Sequence, residues 1–236
     1  VRTFYVPPGN IFGDEALVTD SEFYHAVRVL RMKPGEKLRL VDGRGFEYIG
    51  IIREIVKGER ELKVEVLEKR SCARDPEVKL ALAQALLKGE RMDYVVEKAT
   101  ELGVSRIIPL ITERTVRRPE SSPERWKRIA ISAMKQCGRA TLPEIKEPVS
   151  IGEFVMAELP ESKFVAWPSA ERSVRDLEIG REMVVLVGPE GGLTEREITM
   201  LCDRGFVPFR LGKRILRGDT AGIASLALFA EKKGEL

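Results

Sequence analysis

The chain has 236 residues, 43% of them hydrophobic, and its 40 Lys and Arg against 37 Asp and Glu leave a net charge of only +3. That apolar content suffices for one large domain or two smaller ones, and so small a net charge does not by itself indicate a polyanionic partner. There is no run long enough for a membrane span and no signal-peptide pattern at the start; three scattered cysteines (Cys72, Cys137, Cys202) and a lone histidine, His25, argue against a disulfide framework, a zinc site or a Ser-His-Asp triad, so a metal-free protein of the reducing cytoplasm is expected.

Residues 1–70 read as mostly β. Short apolar runs alternate with turn signals: Phe4 to Val6 before Pro7-Pro8-Gly9, Leu38 to Val41 before Asp42-Gly43-Arg44-Gly45, then Tyr48 to Ile52 and Leu62 to Leu67. One short helix is predicted over Ser21 to Leu30, with Ser21 as N-cap and Phe23, Ala26, Val27 and Leu30 on one face. Several strands and one helix in this length predict a small β-barrel. Residues 71–77, polar and bearing Pro76, read as a linker.

Beyond it, strand and helix alternate. Strands are expected over Val78 to Ala85, Val104 to Ile111, Phe164 to Trp167, Met183 to Val187 and Val207 to Leu211. Arg91 to Leu102 reads as an amphipathic helix stopped by Gly103, and Ser122-Pro123-Glu124 opens another that Gly138 closes. Thr194-Glu195-Arg196-Glu197 has the form of a capping box, and a final helix rich in small residues starts near Asp219-Thr220. Residues 78–236 therefore predict an α/β domain with a parallel sheet.

Charge is clustered. Residues 204–217 hold Arg204, Arg210, Lys213, Arg214 and Arg217 with no acid, and residues 112–140 hold Arg114, Arg117, Arg118, Arg125, Lys127, Arg128, Lys135 and Arg139 against three acids. Solvated helix faces or a nucleic-acid surface both account for such clusters.

Two glycine-bearing segments each sit between a strand and a helix: Val187-Gly188-Pro189-Glu190-Gly191-Gly192-Leu193, and Leu211-Gly212-Lys213-Arg214-Ile215-Leu216-Arg217. Loops at the carboxyl ends of parallel strands are where α/β sheets bind ligands. Neither segment has the G-x-x-x-x-G-K-[ST] or G-x-G-x-x-G pattern. The first offers backbone that a ligand can approach closely, followed by a helix N-terminus, although a tight turn without a ligand has the same spacing. The second offers Leu211, Ile215 and Leu216 as a surface for a flat base and Lys213, Arg214 and Arg217 for phosphates. Asp219 reads either as a helix cap or as an acceptor beside these cations.

These loops, together with Val95 to Gly103, Trp126 to Arg139 (including Gln136) and Leu211 to Ala221, resemble those of the RsmE-type 16S ribosomal RNA (uracil-N3) methyltransferases of the SPOUT superfamily. Arg2, Phe4, His25, Leu30-Arg31 and Gly35-Glu36 fall in that family's order, so the likeness covers most of the chain. The resemblance implies a PUA-like N-terminal barrel that helps to hold RNA and a C-terminal domain with a trefoil knot. It also implies a homodimer packed through the knot domains, and methylation of N3 of one uridine of the small subunit's 16S ribosomal RNA. S-adenosyl-L-methionine would lie among Trp167 and Pro168, Gly188 to Gly192 (Gly188, Pro189, Glu190, Gly191, Gly192), and Leu211, Gly212, Ile215 and Leu216. Glu190 and Asp219 are candidates for accepting the N3 proton, and Arg217 or Arg139 for stabilising the uridine anion. Arg2, His25, Arg31, Arg114, Arg117, Lys213 and Arg214 are candidate RNA contacts. The chain departs from the family where Asp219 stands in place of glutamate and Leu193 in place of phenylalanine. Methylation of a tRNA base or ribose by the same fold, or RNA binding without catalysis, are the competing readings.

Overall fold

A computed structural model describes residues 1–115 and 122–236. The chain forms two compact units, one of residues 1–75 with 134–142, the other of residues 76–133 with 143–236.

In the first unit, β1 (Arg2–Tyr5), β2 (Ile11–Phe12), β3 (Glu15–Val18), β4 (Lys37–Val41), β5 (Phe46–Val56) and β6 (Glu61–Ser71) form a six-stranded sheet in the order β1-β4-β5-β6-β3-β2. All pairs are antiparallel except β1 with β4. Phe4 on β1 and Ala16 and Val18 on β3, near opposite ends of this order, share one core with Leu38, Leu40, Ile52 and Leu62, so the sheet wraps around it. Gly50 marks a register shift between β5 and β6: a Cβ there would lie 2.5 Å from Val64 Cγ1 and 2.7 Å from Glu65 O, so only glycine lets the strands approach.

The helix predicted from Ser21 starts earlier and is not regular. Thr19 is the N-cap of α1 (Asp20–Tyr24), which continues through His25–Val29 as a π-helical turn, closed by Leu30 N–H donating to His25 O at 2.9 Å. Phe23 and Ala26 still face the core, because the apolar stripe and not the cap decides which face is buried.

The unit also takes in residues that the sequence assigns to the second domain. Met134 and Ala140 pack on Val41 and Cys72, and Asp75 accepts the main-chain N–H groups of Ala140 and Thr141 at 2.9 and 3.0 Å. Residues 134–142 lie beyond the predicted linker at 71–77 and join the first unit through their contacts with Asp75 and Cys72. Beneath them, Glu47, 5% exposed, takes hydrogen bonds from Arg39 Nε at 2.6 Å and Arg70 Nε at 2.5 Å, while Arg39 Nη2 donates to Gly138 O at 2.8 Å.

The second unit contains β7 (Lys79–Ala85), α2 (Arg91–Glu101), β8 (Arg106–Ile111), α3 (Pro123–Cys137, its last turn in the first unit), β9 (Glu144–Ile145), β10 (Val149–Ser150), α4 (Ile151–Met156), β11 (Ser162–Ala166), β12 (Glu182–Val187), α5 (Glu195–Asp203), β13 (Val207–Phe209) and α6 (Gly218–Lys232). Every strand pair is parallel, in the order β10-β8-β7-β12-β11-β13, with β9 also on β8. The central strands are buried on both faces and read as unbroken apolar runs, Leu80 to Ala85 and Met183 to Val187. Gly103 and Gly138 adopt φ of +85° and +86° at helix ends, the left-handed conformation that stops a helix. The capping box at Thr194 forms as expected, Thr194 Oγ1 accepting Glu197 N–H and the Glu197 carboxylate accepting Thr194 N–H. A second box, Ser150 with Glu153, starts α4, an element the sequence reading passed over.

A three-loop cleft at the carboxyl ends of adjacent strands

The strands β12, β11 and β13 are neighbours and run in the same direction, so the loops that follow them emerge side by side. Between these loops lies a cleft of about 380 Å³, within the size range of small-molecule sites. It is lined by Trp167, Pro168 and Ser169 after β11, by Gly188, Pro189, Glu190, Gly191, Gly192 and Leu193 after β12, and by Leu211, Gly212, Arg214, Ile215 and Leu216 after β13, with Arg114, Gly218 and Ala221 at its margin. All the residues expected to hold a cofactor line this one cavity.

Five glycines are among the residues that line the cleft. Gly192 and Gly212 take φ of +69° and +146°, values that side-chain-bearing residues rarely adopt, and a Cβ on either would touch no other atom within 4 Å. Gly192 N–H donates to Pro189 O at 2.9 Å and so tightens the first loop, while Trp167 N–H donates to Phe209 O at 2.8 Å and joins the loop after β11 to β13. Gly218, the first residue of α6, allows that helix to approach the first loop: a Cβ there would lie 2.8 Å from Leu87 Cδ2 and 3.2 Å from Gly188 O. Ile215 lines the cleft yet is 85% exposed.

The charged candidates divide by position. Arg217 is exposed and pairs with the mostly buried Asp219 carboxylate, Nη2 to Oδ2 at 3.5 Å. Asp219 is in the first turn of α6 and Arg217 is the N-cap residue, so Asp219 does not cap the helix; its Oδ1 accepts Thr220 N–H at 2.8 Å. Glu190 has its Oε1 occupied by Lys88 N–H at 3.1 Å and Arg91 Nη1 at 3.0 Å. Arg114 donates to Gly191 O at 2.9 Å and Leu193 O at 3.4 Å, so it braces the glycine loop from β8's side. Lys213 and Arg214 are exposed, and of the two only Arg214 lines the cleft.

Four candidates lie elsewhere. Arg2, His25 and Arg31 are exposed in the first unit; Arg2 Nη1 donates to Leu30 O at 3.2 Å, and Arg31 holds φ of +52°. Arg139 also belongs to the first unit, 3% exposed, with Nε 3.8 Å from Asp75 Oδ1. Burial pulls its guanidinium below the ordinary arginine range, and the Asp75 charge opposes that shift. Arg139 is thus built into the first unit and is not among the residues lining the cleft, whatever its nearness in sequence to the basic stretch. Arg117 lies outside the described residues.

Sequence reasoning missed Lys88 and Arg91, which flank a third glycine-bearing turn between a strand and a helix, Lys88-Gly89-Glu90-Arg91. Its signal was the same as for the other two loops. Among the described residues, there is no cluster of His, Cys, Asp and Glu arranged to hold a metal ion, and no helix is long and apolar enough to cross a membrane.

A parallel α/β unit with a three-loop, glycine-walled cleft at its strand ends, carried on the same chain as a wrapped β unit, defines the class of two-domain RNA methyltransferases. Residues 74–230 match the RNA methyltransferase domain family and residues 18–67 the RNA methyltransferase PUA domain family. The chain is 32% identical to ribosomal RNA small subunit methyltransferase E of Synechocystis over 94% of its length and 75% of the relative's, and 32% identical to the enzyme of that name from Buchnera aphidicola of Schizaphis graminum over 93% and 91%. Among solved structures, the ribosomal RNA small subunit methyltransferase E of Neisseria gonorrhoeae bound to S-adenosyl methionine superposes with a TM-score of 0.90 at 31% identity, covering 98% of this chain and 97% of that one. A Legionella pneumophila methyltransferase in complex with S-adenosyl methionine does so with the same TM-score at 33% identity and the same coverage. The chain belongs to the ribosomal RNA small subunit methyltransferase E family.

Proposed function

We propose that this protein transfers a methyl group from S-adenosyl-L-methionine to N3 of one uridine in the 16S ribosomal RNA of the small subunit. The observation that carries this reading is the three-loop cleft on a fold shared, over almost the whole chain, with relatives solved with that cofactor. The cleft fits the group: it is large enough, glycines line part of it, and Leu211, Leu216 and Trp167 supply apolar surface for an adenine.

When bound, the sulfonium supplies an activated methyl, so the protein's own tasks are alignment and removal of the N3 proton. Glu190 ties the glycine loop to the turn after β7 through Lys88 and Arg91, and so holds the wall in place. In this reading Asp219, paired with Arg217 at 3.5 Å, accepts the N3 proton, and the exposed Arg217 guanidinium stabilises the uridine anion left behind. Lys213 and Arg214 contact RNA phosphates at the rim, and the first unit adds Arg2, His25 and Arg31.

The return of the chain from the edge strand β13 to α6, which packs on α2, β7 and β12 with Gly218 against Gly188 O, supports a knotted path through the glycine loop. A homodimer through this unit is part of the same reading, supported by the exposed Tyr94 and Leu228 on the paired helices α2 and α6. A cytoplasmic site of action follows from a ribosomal substrate.

The test is transfer of labelled methyl from S-adenosyl-L-methionine to small subunits lacking the modification, with nucleoside analysis of the product. Methyl-3-uridine at one site is the expected result. Label in a tRNA or on a ribose would redirect the substrate, and cofactor binding without transfer to any RNA would favour the non-catalytic reading.

A further inference from the structure

Strands β7 and β12 are neighbours in the sheet, yet the chain leaves them in opposite directions, from β7 through α2 to β8 and from β12 through α5 to β13. A parallel sheet opens a crevice at such a reversal, beyond the carboxyl ends of the two strands. The cleft described above lies to one side, among the loops of β12, β11 and β13. The reversal itself is flanked by the turn Lys88 to Arg91 after β7, by Glu190 after β12, and by the start of α6, where Gly218 faces Leu87 and Gly188 O.

The turn is fixed while its charges are left outward. Glu190 Oε1 receives both Lys88 N–H and Arg91 Nη1, and Gly89 takes φ of +59° to reverse the chain between them. Lys88 is exposed, and its ammonium has no hydrogen-bond or ion-pair partner among the described residues. Among the described residues Arg91 has Glu190 as its only ion-pair partner, and its side chain stays 38% exposed. Of the nearby acids, Glu90 is 3.8 Å from Arg125, Asp219 faces Arg217 and Glu190 faces Arg91.

The geometry points to the Lys88–Arg91 turn as an RNA backbone clamp, in which the Lys88 ammonium and the Arg91 guanidinium hold phosphates flanking the target nucleotide and Glu190 is the positioning residue that aims them. This rests on the methyltransferase reading and extends it to residues beyond the cofactor cleft. One carboxylate thereby couples the loop that walls the cofactor cleft to the loop that grips the substrate, so both are held in one register around the reacting atoms.

The experiment uses Lys88→Ala, Arg91→Ala, Arg91→Lys and Glu190→Gln in the full chain. The readouts are KM for small subunits lacking the modification, the dependence of kcat/KM on salt, and cofactor affinity by calorimetry. Lys88→Ala keeps the main-chain N–H to Glu190, so it removes only the outward charge. The expected result is that Lys88→Ala and Arg91→Ala each raise KM about tenfold and flatten the log–log salt slope by about 0.7, as for one phosphate contact to a single strand. Cofactor affinity stays within about twofold in Lys88→Ala, which leaves the brace on Glu190 intact, and Arg91→Lys, which keeps the charge, recovers most of the slope. Glu190→Gln raises KM less and leaves the slope near that of the wild type.

Unchanged KM and slope in both alanine variants, or a loss confined to cofactor affinity, would overturn the clamp and leave the turn only as a brace for the glycine loop. Wild-type protein that transfers no methyl at all would instead bring down the methyltransferase reading, and the clamp with it.

Discussion

A buried charge cluster in the first unit and an exposed one in the second put the same residue types to opposite uses. In the first unit Glu47 is enclosed by Arg39 and Arg70, and Arg39 reaches on to Gly138 O, so the polar atoms of this cluster are spent inside the protein. In the second, Arg217, Lys213, Arg214 and Lys88 keep their heads exposed on the loops that carry the cleft and the turn beside it. Burial separates the two cases: an enclosed ion pair holds structure because breaking it strands a charge, whereas an exposed cation adds little to stability and is free to meet an anion.

This contrast is sharpest at Arg217 and Glu47. Arg217→Ala should lower single-turnover methyl transfer by about 10²- to 10³-fold, as when one donor to a developing anion is removed. Its urea-unfolding free energy should stay within about 0.5 kcal/mol of wild type, as for exposed substitutions; a stability loss of several kcal/mol would erase the distinction between the units. Conversely, Glu47→Ala should cost about 3 kcal/mol in the same unfolding measurement by leaving Arg39 buried without its partner, while the folded fraction keeps its transfer rate.

A pH titration sharpens the Glu47 case. Burial pushes the Glu47 carboxyl up, but the hydrogen bonds and charges of Arg39 and Arg70 outweigh it and hold the group below its ordinary value of 4.5. A carboxyl lowered on folding contributes its stabilisation fully above the unfolded value and loses it as pH falls from there through the folded value. The stability gap between wild type and Glu47→Gln should therefore be level above about pH 5 and narrow steadily below it. A gap that is flat across the acid range would mean that the pair contributes through packing alone.

Two smaller effects test the frame of the cleft. At Gly222 on α6 a Cβ would lie 2.5 Å from Oε1 of the fully buried Gln84 on β7. Gly222→Ala should destabilise by about 1–2 kcal/mol, overpacking exceeding the gain in helix propensity, with thermal unfolding as the readout. Thr194→Ala removes one half of the capping box that follows the glycine loop, and should cost about 1 kcal/mol with a modest loss of cofactor affinity.

Much of this architecture is legible in the chain. The apolar runs of β7 and β12, the stops at Gly103 and Gly138, the Thr194 capping box and the two glycine loops are local patterns, and each depends on side chains within a few residues of one another. The cleft residues are legible for a related reason. Parallel strands deliver their following loops to one edge, so a strand–glycine loop–helix pattern repeated in sequence marks a shared place in space.

What only the tertiary structure decides is which partner each polar group finds. Glu190 has no basic neighbour in sequence, yet Arg91, 99 residues away, takes its carboxylate. Arg139 stands in a basic stretch and is nonetheless buried beside Asp75, and Met134 to Leu142 leave their helical neighbours to complete the other unit. Periodicity and turn chemistry are short-range and are written into adjacent residues. Charge pairing and burial act between residues far apart in the chain, so they take shape only when the sheet has brought those residues together.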